Sequence, residues 1–219
     1  MSFFGILGGI FEGFRITASI VVYGLLFAVP FAFVFGVLQH FTKGIPRFLV
    51  TAAIEFWRSS PVIILLFVFY YALPIFGVFL SAMTVSAMVL GLNIGGYGSQ
   101  AVRAALQALD RGQVEAGLAL GLPRFRILLL IELPQAIVMM TPTFMNLVIQ
   151  LVKGTALVSL VTLADMTFRA KEIAQIEYNP VGIYSGLLLA YFIVCYPVTV
   201  FGRWLERRVG VGEGQAHGL

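Results

Sequence analysis

The stretch EAGLALGLPRFRILLLIELP, residues 115 to 134, interrupts a chain that otherwise consists of long apolar runs. It combines acidic and basic side chains with glycine and proline, whereas the 219-residue chain as a whole is 60% hydrophobic and only 11% charged. The mean hydropathy of +0.98 is far above that of soluble globular proteins. The composition therefore predicts an integral membrane protein in which this polar stretch lies outside the bilayer core.

On both sides of the polar stretch, the apolar runs are long enough to form membrane-spanning helices. No Asp, Glu, Lys or Arg occurs within residues 60–101, 134–151 or 179–201. A helix rises about 1.5 Å per residue, so about 20 apolar residues cross the roughly 30 Å of hydrocarbon. Because the runs are continuous rather than alternating, helices are favoured over barrel strands. The sequence predicts an all-α membrane protein with five spans, at residues 16–39, 59–78, 83–106, 134–153 and 181–202.

The distribution of basic residues predicts the orientation of these spans. With five spans, the loops fall into two sets, which hold ten and four Lys and Arg residues. Since basic residues are enriched in cytoplasmic loops, we predict that the C-terminus and the loop 107–133 are cytoplasmic and the N-terminus lies outside. Topology thus explains the positive charge, and a nucleic-acid partner is not expected. The ten are Lys43, Arg47, Arg58, Arg103, Arg111, Arg124, Arg126, Arg203, Arg207 and Arg208, and the four are Arg15, Lys153, Arg169 and Lys171.

The chain contains no linker or low-complexity stretch that divides it. We predict a single transmembrane domain over residues 1–209 and a flexible, Gly-rich tail over residues 210–219.

The single cysteine, Cys195, lies in the last span and is interpreted as a small buried apolar residue. Gly91 and Gly95, spaced four apart in the third span, are expected to allow a close approach between helices.

Within the polar stretch, residues 113–120 are predicted to form a short helix along the cytoplasmic membrane surface. Gly121 ends this helix, and Pro123 prevents it from continuing. Glu115 then lies in the first turn, where its charge complements the helix dipole. From these properties alone, an ordinary amphipathic loop helix and a handle for a soluble partner are equally supported. The apolar positions predicted to form its buried face are Val114, Leu118, Leu120 and Leu122.

The same stretch resembles the EAA loop of ABC transporter permeases. In that pattern, Glu-Ala-Ala is followed after three residues by Gly, and after nine more by Ile-x-Leu-Pro. Gly117 stands where the family has its third Ala. The matching positions are Glu115, Ala116, Gly121, Ile131, Leu133 and Pro134.

Further segments are similar to the polar amino acid permeases of the histidine and glutamine type. EFWRSSP, residues 55–61, is similar to the family's Glu-x-x-Arg-Gly-Thr-Pro, with Glu55, Arg58 and Pro61 as the matching structural positions. Residues 97–117 and 146–157 and the closing LERR also match. The departures are Gln100 where an acid is usual, Gly154 where Asp is common and Ala156 where Ser is common.

The resemblance implies a permease subunit of a binding-protein-dependent importer in a bacterial inner membrane, without catalytic chemistry of its own. It implies as partners two ATPase subunits, a second permease that is identical or homologous, an extracytoplasmic solute-binding protein and the lipid bilayer. No cofactor is expected in this chain, because ATP and Mg bind to the ATPase subunits and no phosphate-binding Gly-x-x-x-x-Gly-Lys motif occurs. The positions expected to couple to the ATPases are Glu115, Ala116, Gly117, Leu118, Gly121, Pro123 and Arg124.

Two polar trios are candidates for the substrate pathway. Each has the spacing i, i+4 and i+7, which places its members on one helix face, and polar groups at membrane depth tend to face a bundle interior or a wet cavity. Interhelical hydrogen bonds for Asn93 and Asn146, and an outward-reaching side chain for Lys153, are alternatives. The trios are Asn93, Tyr97 and Gln100 in the third span, and Asn146, Gln150 and Lys153 in the fourth.

The substrate class implied by the family is a polar amino acid. The neutral amide of Gln100, where an acid is usual, favours a net neutral zwitterion over a basic amino acid. An amino-acid-like compatible solute such as ectoine is a further candidate. A secondary transporter or channel is the alternative function, although the predicted spans lack the intramembrane acid or histidine that ion coupling usually requires.

Overall fold

The computed structural model describes residues 2–209, and the predicted tail over residues 210–219 lies outside the described residues. Within residues 2–209 the chain forms helices and no strand, which confirms the all-α prediction for that part. Short π or 3₁₀ turns extend several of the helices. The α-helices are α1 (Phe3–Phe11), α2 (Phe14–Phe41), α3 (Gly44–Ser59), α4 (Val62–Phe67), α5 (Ala82–Ala108), α6 (Arg111–Ala119), α7 (Arg124–Ile127), α8 (Leu133–Gly154), α9 (Met166–Ile176) and α10 (Pro180–Val209).

Helices α2 and α5 run parallel and form the most extensive contact of the bundle. A methyl group added to Gly91 would lie 2.3 Å from the backbone oxygen of Gly24, and one added to Gly95 would lie 2.9 Å from that of Ala28. Only glycine permits so close a backbone approach, and such small-residue contacts are a main source of helix association in membranes. The expected role of Gly91 and Gly95 is confirmed.

Helix α8 runs antiparallel to this pair and α10 antiparallel to α8. Leu151 of α8 packs on Gly24 of α2, while Leu147 lies near Gly98 further along α5. On the other side of α8, Met145 packs against Gly202 of α10. Four of the five predicted spans, the first and the last three, lie inside α2, α5, α8 and α10.

The second predicted span, residues 59–78, is wrong in its boundaries. Helical structure there covers residues 62–76 as α4, a π turn and a 3₁₀ turn, and it meets α3 at an angle of 95°. The break lies at Ser60 and Pro61, because proline forces the preceding residue into extended backbone and cannot donate to a continuing helix. Helix α3 was not predicted, because its charged residues interrupt the apolar run.

Hydropathy and length distinguish the membrane-spanning candidates among the described residues. Three segments are long and apolar enough to cross a bilayer, namely Phe3–Phe41, Arg124–Val161 and Pro180–Val209. The bent pair formed by Gly44–Ser59 and Val62–Phe76 qualifies when it is taken as one broken span. Helix α5 is not among these candidates, and its sequence is rich in glycine and polar residues.

Two short helices that were not predicted, α1 and α9, pack together at the end of the bundle opposite α6. Asp165 caps α9 by accepting hydrogen bonds from the backbone N–H groups of Thr167 and Phe168, and it also accepts one from the Tyr191 hydroxyl of α10 at 3.2 Å. Burial raises the pKa of the Asp165 carboxyl, while these hydrogen bonds act in the opposite direction. The cluster ties α9 to α10 at this end.

Candidate functional site

The polar stretch forms a capped helix, α6, between the long helices α5 and α8. Its bounds are Arg111–Ala119, two residues earlier at its start than predicted. Asp110 caps the N-terminus, where its carboxylate accepts a hydrogen bond of 2.9 Å from the backbone N–H of Gly112. Glu115 therefore lies in the second turn, and the predicted placement in the first turn is wrong. The favourable charge at the N-terminus comes from Asp110 instead.

Gly121 ends α6 as predicted. Its φ of +74° lies in the left-handed region, which glycine adopts without steric penalty. Two backbone hydrogen bonds close the end, from Leu122 N–H to the Gly117 oxygen at 3.0 Å and from Gly121 N–H to the Leu118 oxygen at 2.9 Å. This pair is the Schellman arrangement, which fixes the direction in which the chain leaves the helix.

Helix α6 presents its large apolar side chains to the outside. Leu118 is 53% exposed and Leu120 is 80% exposed, and Gly117 is the only buried residue of the helix. The predicted buried face is thus wrong for both leucines, while Val114 and Leu122 are half-buried. Exposed apolar residues beside a membrane domain meet either the membrane surface or a protein partner.

Gly117 is the contact between α6 and the segment that follows it. A methyl group here would lie 2.8 Å from Cγ1 of Ile127 and 3.5 Å from Cδ1 of Ile131. Gly117, in place of the family's third Ala, therefore fits this packing, because α6 contacts Ile127 directly at this position. An alanine requires the isoleucine to move.

Arg124, just after Pro123, is held by a carboxylate that the sequence did not single out. Its Nη2 donates a hydrogen bond of 3.0 Å to Oε1 of Glu132, and its Nη1 lies 2.9 Å from Oε2 of the same carboxylate. Glu132 is 2% exposed. A lone acid inside the apolar run at the start of the fourth span shows no periodic pattern, so nothing in the sequence marked it.

A groove of about 880 Å³ runs between α5 and α8. It is open along one side and none of its lining residues is charged. Small alanines of α5 widen it toward the α6 end, while Asn93 and Gln150 lie at its other end. Its polar lining residues are Asn93, Tyr97, Gln100, Thr143 and Gln150.

All three predicted pathway residues of α5 line this groove, and each is also hydrogen-bonded to a neighbouring helix. Asn93 donates to the Trp57 backbone oxygen at 2.8 Å, and Tyr97 donates to the Arg58 backbone oxygen at 3.2 Å. Gln100 Nε2 donates to Oε1 of the buried Gln39 at 3.0 Å. The interhelical-bond alternative therefore holds for Asn93, which is buried, alongside its place in the groove wall.

The three predicted residues of α8 do not come together. Gln150 lines the α5–α8 groove, whereas Lys153 lines a second groove of about 510 Å³ between α8 and α10. Asn146 is exposed and belongs to neither set of lining residues. The six predicted residues therefore divide between two grooves and an exposed helix surface.

The segment Glu55 to Pro61 lies at the bend between α3 and α4. Arg58 Nη2 donates to Glu55 Oε1 at 2.8 Å, and its guanidinium carbon lies 5.9 Å from the centre of the Tyr97 ring. Gly96, about halfway along α5, allows this approach. Placing Arg58 in a loop was therefore wrong, since it lies in the last turn of α3 and packs beside the middle of α5.

Comparison with known proteins assigns this architecture. Residues 28–211 match the family described as binding-protein-dependent transport system inner membrane component. A probable amino-acid ABC transporter permease of Sinorhizobium fredii is 34% identical over 93% of this chain and 88% of its own length. The L-cystine transport system permease protein TcyB of Bacillus subtilis is 29% identical over 95% and 88%.

Solved structures agree with the family match. The crystal structure of an amino acid ABC transporter with histidines superposes with a TM-score of 0.77 at 26% identity, covering 93% of both chains. The inward-facing MetNI methionine ABC transporter has a TM-score of 0.72 at 22% identity, with 91% of this chain and 94% of that chain covered, which shows the shared fold.

The fold and the site thus define a membrane-embedded transport permease. The chain belongs to the family of inner membrane components of binding-protein-dependent transport systems. The resemblance to ABC permeases is confirmed, and neither ectoine nor a secondary transporter finds support among these relatives.

The packing of α6 on Ile127 gives a prediction. Gly117→Ala should destabilise the protein by about 2 kcal/mol through overpacking, and Ile127→Ala by about 3 kcal/mol through a cavity. The double variant should lose about 1 kcal/mol less free energy of unfolding than the two single variants lose together, because the new methyl group fills the vacated space. Unfolding of the detergent-purified chain in denaturant measures all three. Strict additivity would show that the two residues do not touch.

Proposed function

We propose that this chain is one of two permease subunits of an ATP-driven amino acid importer, and that α6 is the helix by which an ATPase subunit moves it. The observation that carries the proposal is the exposure of two leucines on this short capped helix, Leu118 in its last turn and Leu120 directly after it. A projecting helix with rigid caps fits a groove on a partner and moves as a unit. A bulky, charged residue at Gly121 would distort that end, so we expect it to uncouple ATP hydrolysis from transport.

The arrangement of the helices supports five crossings, formed by α2, the bent pair α3 and α4, α5, α8 and α10. A cavity next to α6 is lined by His40 at the end of α2 and by Gln107 at the end of α5, so α6 lies where both helices end. Helices α1 and α9 lie at the opposite end. With the basic residues, this supports a cytoplasmic α6 and C-terminus and an external N-terminus in a bacterial inner membrane.

The α5–α8 groove is the proposed half of the translocation pathway. Thr143 and Gln150 are exposed on its wall, and polar side chains at membrane depth are unfavourable against lipid. A second permease, identical or homologous, would cover the open side and enclose a polar channel between the two subunits. An extracytoplasmic binding protein delivers the substrate to the outer end.

The proposed substrate is an amino acid without net charge. The relatives are named for amino acids, and the groove offers neutral amides and hydroxyls with no charged lining residue. Such groups hydrogen-bond to a zwitterion but do not pair with a cationic side chain. The chain itself does no covalent chemistry in this proposal, since ATP and Mg are bound by two ATPase subunits.

The docking of α6 is tested by crosslinking. Leu118→Cys, in a Cys195→Ala background, should crosslink to a co-purified ATPase subunit through a short thiol-reactive linker, because residue 118 faces that partner. Leu188→Cys is the matched control, since Leu188 is 74% exposed on α10 but lies in the membrane. An ATPase crosslink at residue 188 but none at residue 118 would refute the proposed docking.

The substrate class is tested through Gln100. In proteoliposomes, uptake of a neutral amino acid should be inhibited weakly by excess arginine. Gln100→Glu removes the donor to Gln39 and adds a negative charge to the groove, so inhibition by arginine should rise about fivefold, equivalent to about 1 kcal/mol. Gln135→Glu, outside the groove lining, should leave the inhibition unchanged. A native preference for arginine over neutral amino acids would contradict the assignment.

A further inference from the structure

A single buried carboxylate lies between α6 and the membrane helices. Glu132 is 2% exposed and sits in the π turn that leads into α8. Burying an ionised group is unfavourable unless it is paired, so its position implies a partner that it holds firmly. That partner is Arg124, which begins the short helix α7 and follows α6 by five residues.

Arg124 joins three parts of the protein at one point. Its side chain reaches Glu132 through a hydrogen bond of 3.0 Å and an ion contact of 2.9 Å. Its guanidinium carbon also lies 5.1 Å from the centre of the Phe41 ring, at the end of α2, which is a cation–π distance. The segment after α6 is therefore connected to α8 and to α2 through the same side chain.

Packing alone links α6 to the bundle weakly. A cavity of about 400 Å³ separates Arg111 and Glu115 of α6 from His40 of α2 and Gln107 of α5. The buried contact of α6 itself is Gly117 against Ile127. The side-chain contacts that join α6 to α2 and α8 therefore belong to the segment that carries Arg124 and Ile127.

We propose that Glu132 is a positioning residue for coupling, which with Arg124 ties the segment after α6 to the start of α8 and the end of α2. The proposal rests on the proposed function of α6. When an ATPase subunit displaces α6, the charged pair carries that displacement to α8, which is one wall of the groove. The cation–π contact carries it to α2, which packs against the other wall, α5. Without the pair, α6 can move while α2 and α8 stay.

The test measures the number of substrate molecules taken up per ATP hydrolysed in proteoliposomes that contain the complete transporter. Glu132→Gln keeps the shape of the side chain but removes its charge, and we expect that ratio to fall at least about tenfold while ATP hydrolysis persists. Arg124→Gln, at a side chain that is 39% exposed, should have the same effect with less risk to folding. Arg124→Lys keeps the charge and should restore part of the ratio.

Arg126→Gln is the matched control, because Arg126 is an exposed cation on the same turn and makes no ion pair shorter than 4 Å within residues 2–209. Its ratio should equal that of the native protein. Native ratios for both Glu132→Gln and Arg124→Gln would overturn the inference and leave the docking of α6 intact. Lower protein yield with an unchanged ratio would likewise overturn it, since the pair would then only stabilise the fold. Failure of Leu118→Cys to crosslink to the ATPase, with Arg124 and Glu132 unchanged, would instead refute the proposed function.

Discussion

The backbone contact between α2 and α5 determines where every functional feature of this chain lies. In a bilayer no hydrophobic effect drives helices together, so close packing must hold them. The hypothetical methyl group at Gly91, only 2.3 Å from the Gly24 oxygen, shows how little space separates the two backbones. The contact buries one side of α5 and leaves the side with Tyr97 and Gln100 for the groove. It also brings the ends of α2 and α5 together beside α6.

Much of this architecture could be predicted from the sequence, because uninterrupted apolar runs have no alternative to a spanning helix. Four spans fall inside observed helices for this reason. Helix α3, before the second predicted span, could not be predicted, since Glu55 and Arg58 read as loop residues and only the fold shows Arg58 packed beside Gly96. Pro61 explains the bend locally, but the position of α3 depends on its contact with α5.

The functional sites also contain some features that the local sequence determines and others that depend on tertiary contacts. Gly121 ends α6 because a left-handed residue is a local requirement that sequence spacing reveals. The trio on α5 also faces the groove as periodicity requires. The exposure of Leu118 and Leu120 was not predictable, because an amphipathic pattern does not show whether its apolar face meets lipid, the same chain or a partner. Glu132 was not identified from the sequence, because its role depends on the ion pair with Arg124, eight residues away.

If α6 couples the long helices to an ATPase, the α5–α8 groove should open and close with the nucleotide state of that ATPase. The most direct test is the rate at which a membrane-impermeant thiol reagent, added from the cytoplasmic side, labels Thr143→Cys in a Cys195→Ala background. We expect this labelling rate to differ about tenfold between nucleotide-free and ATP-trapped transporter, equivalent to about 1.4 kcal/mol, and to stay the same at Val22→Cys on the exposed face of α2. Equal labelling of Thr143→Cys in both states would contradict it.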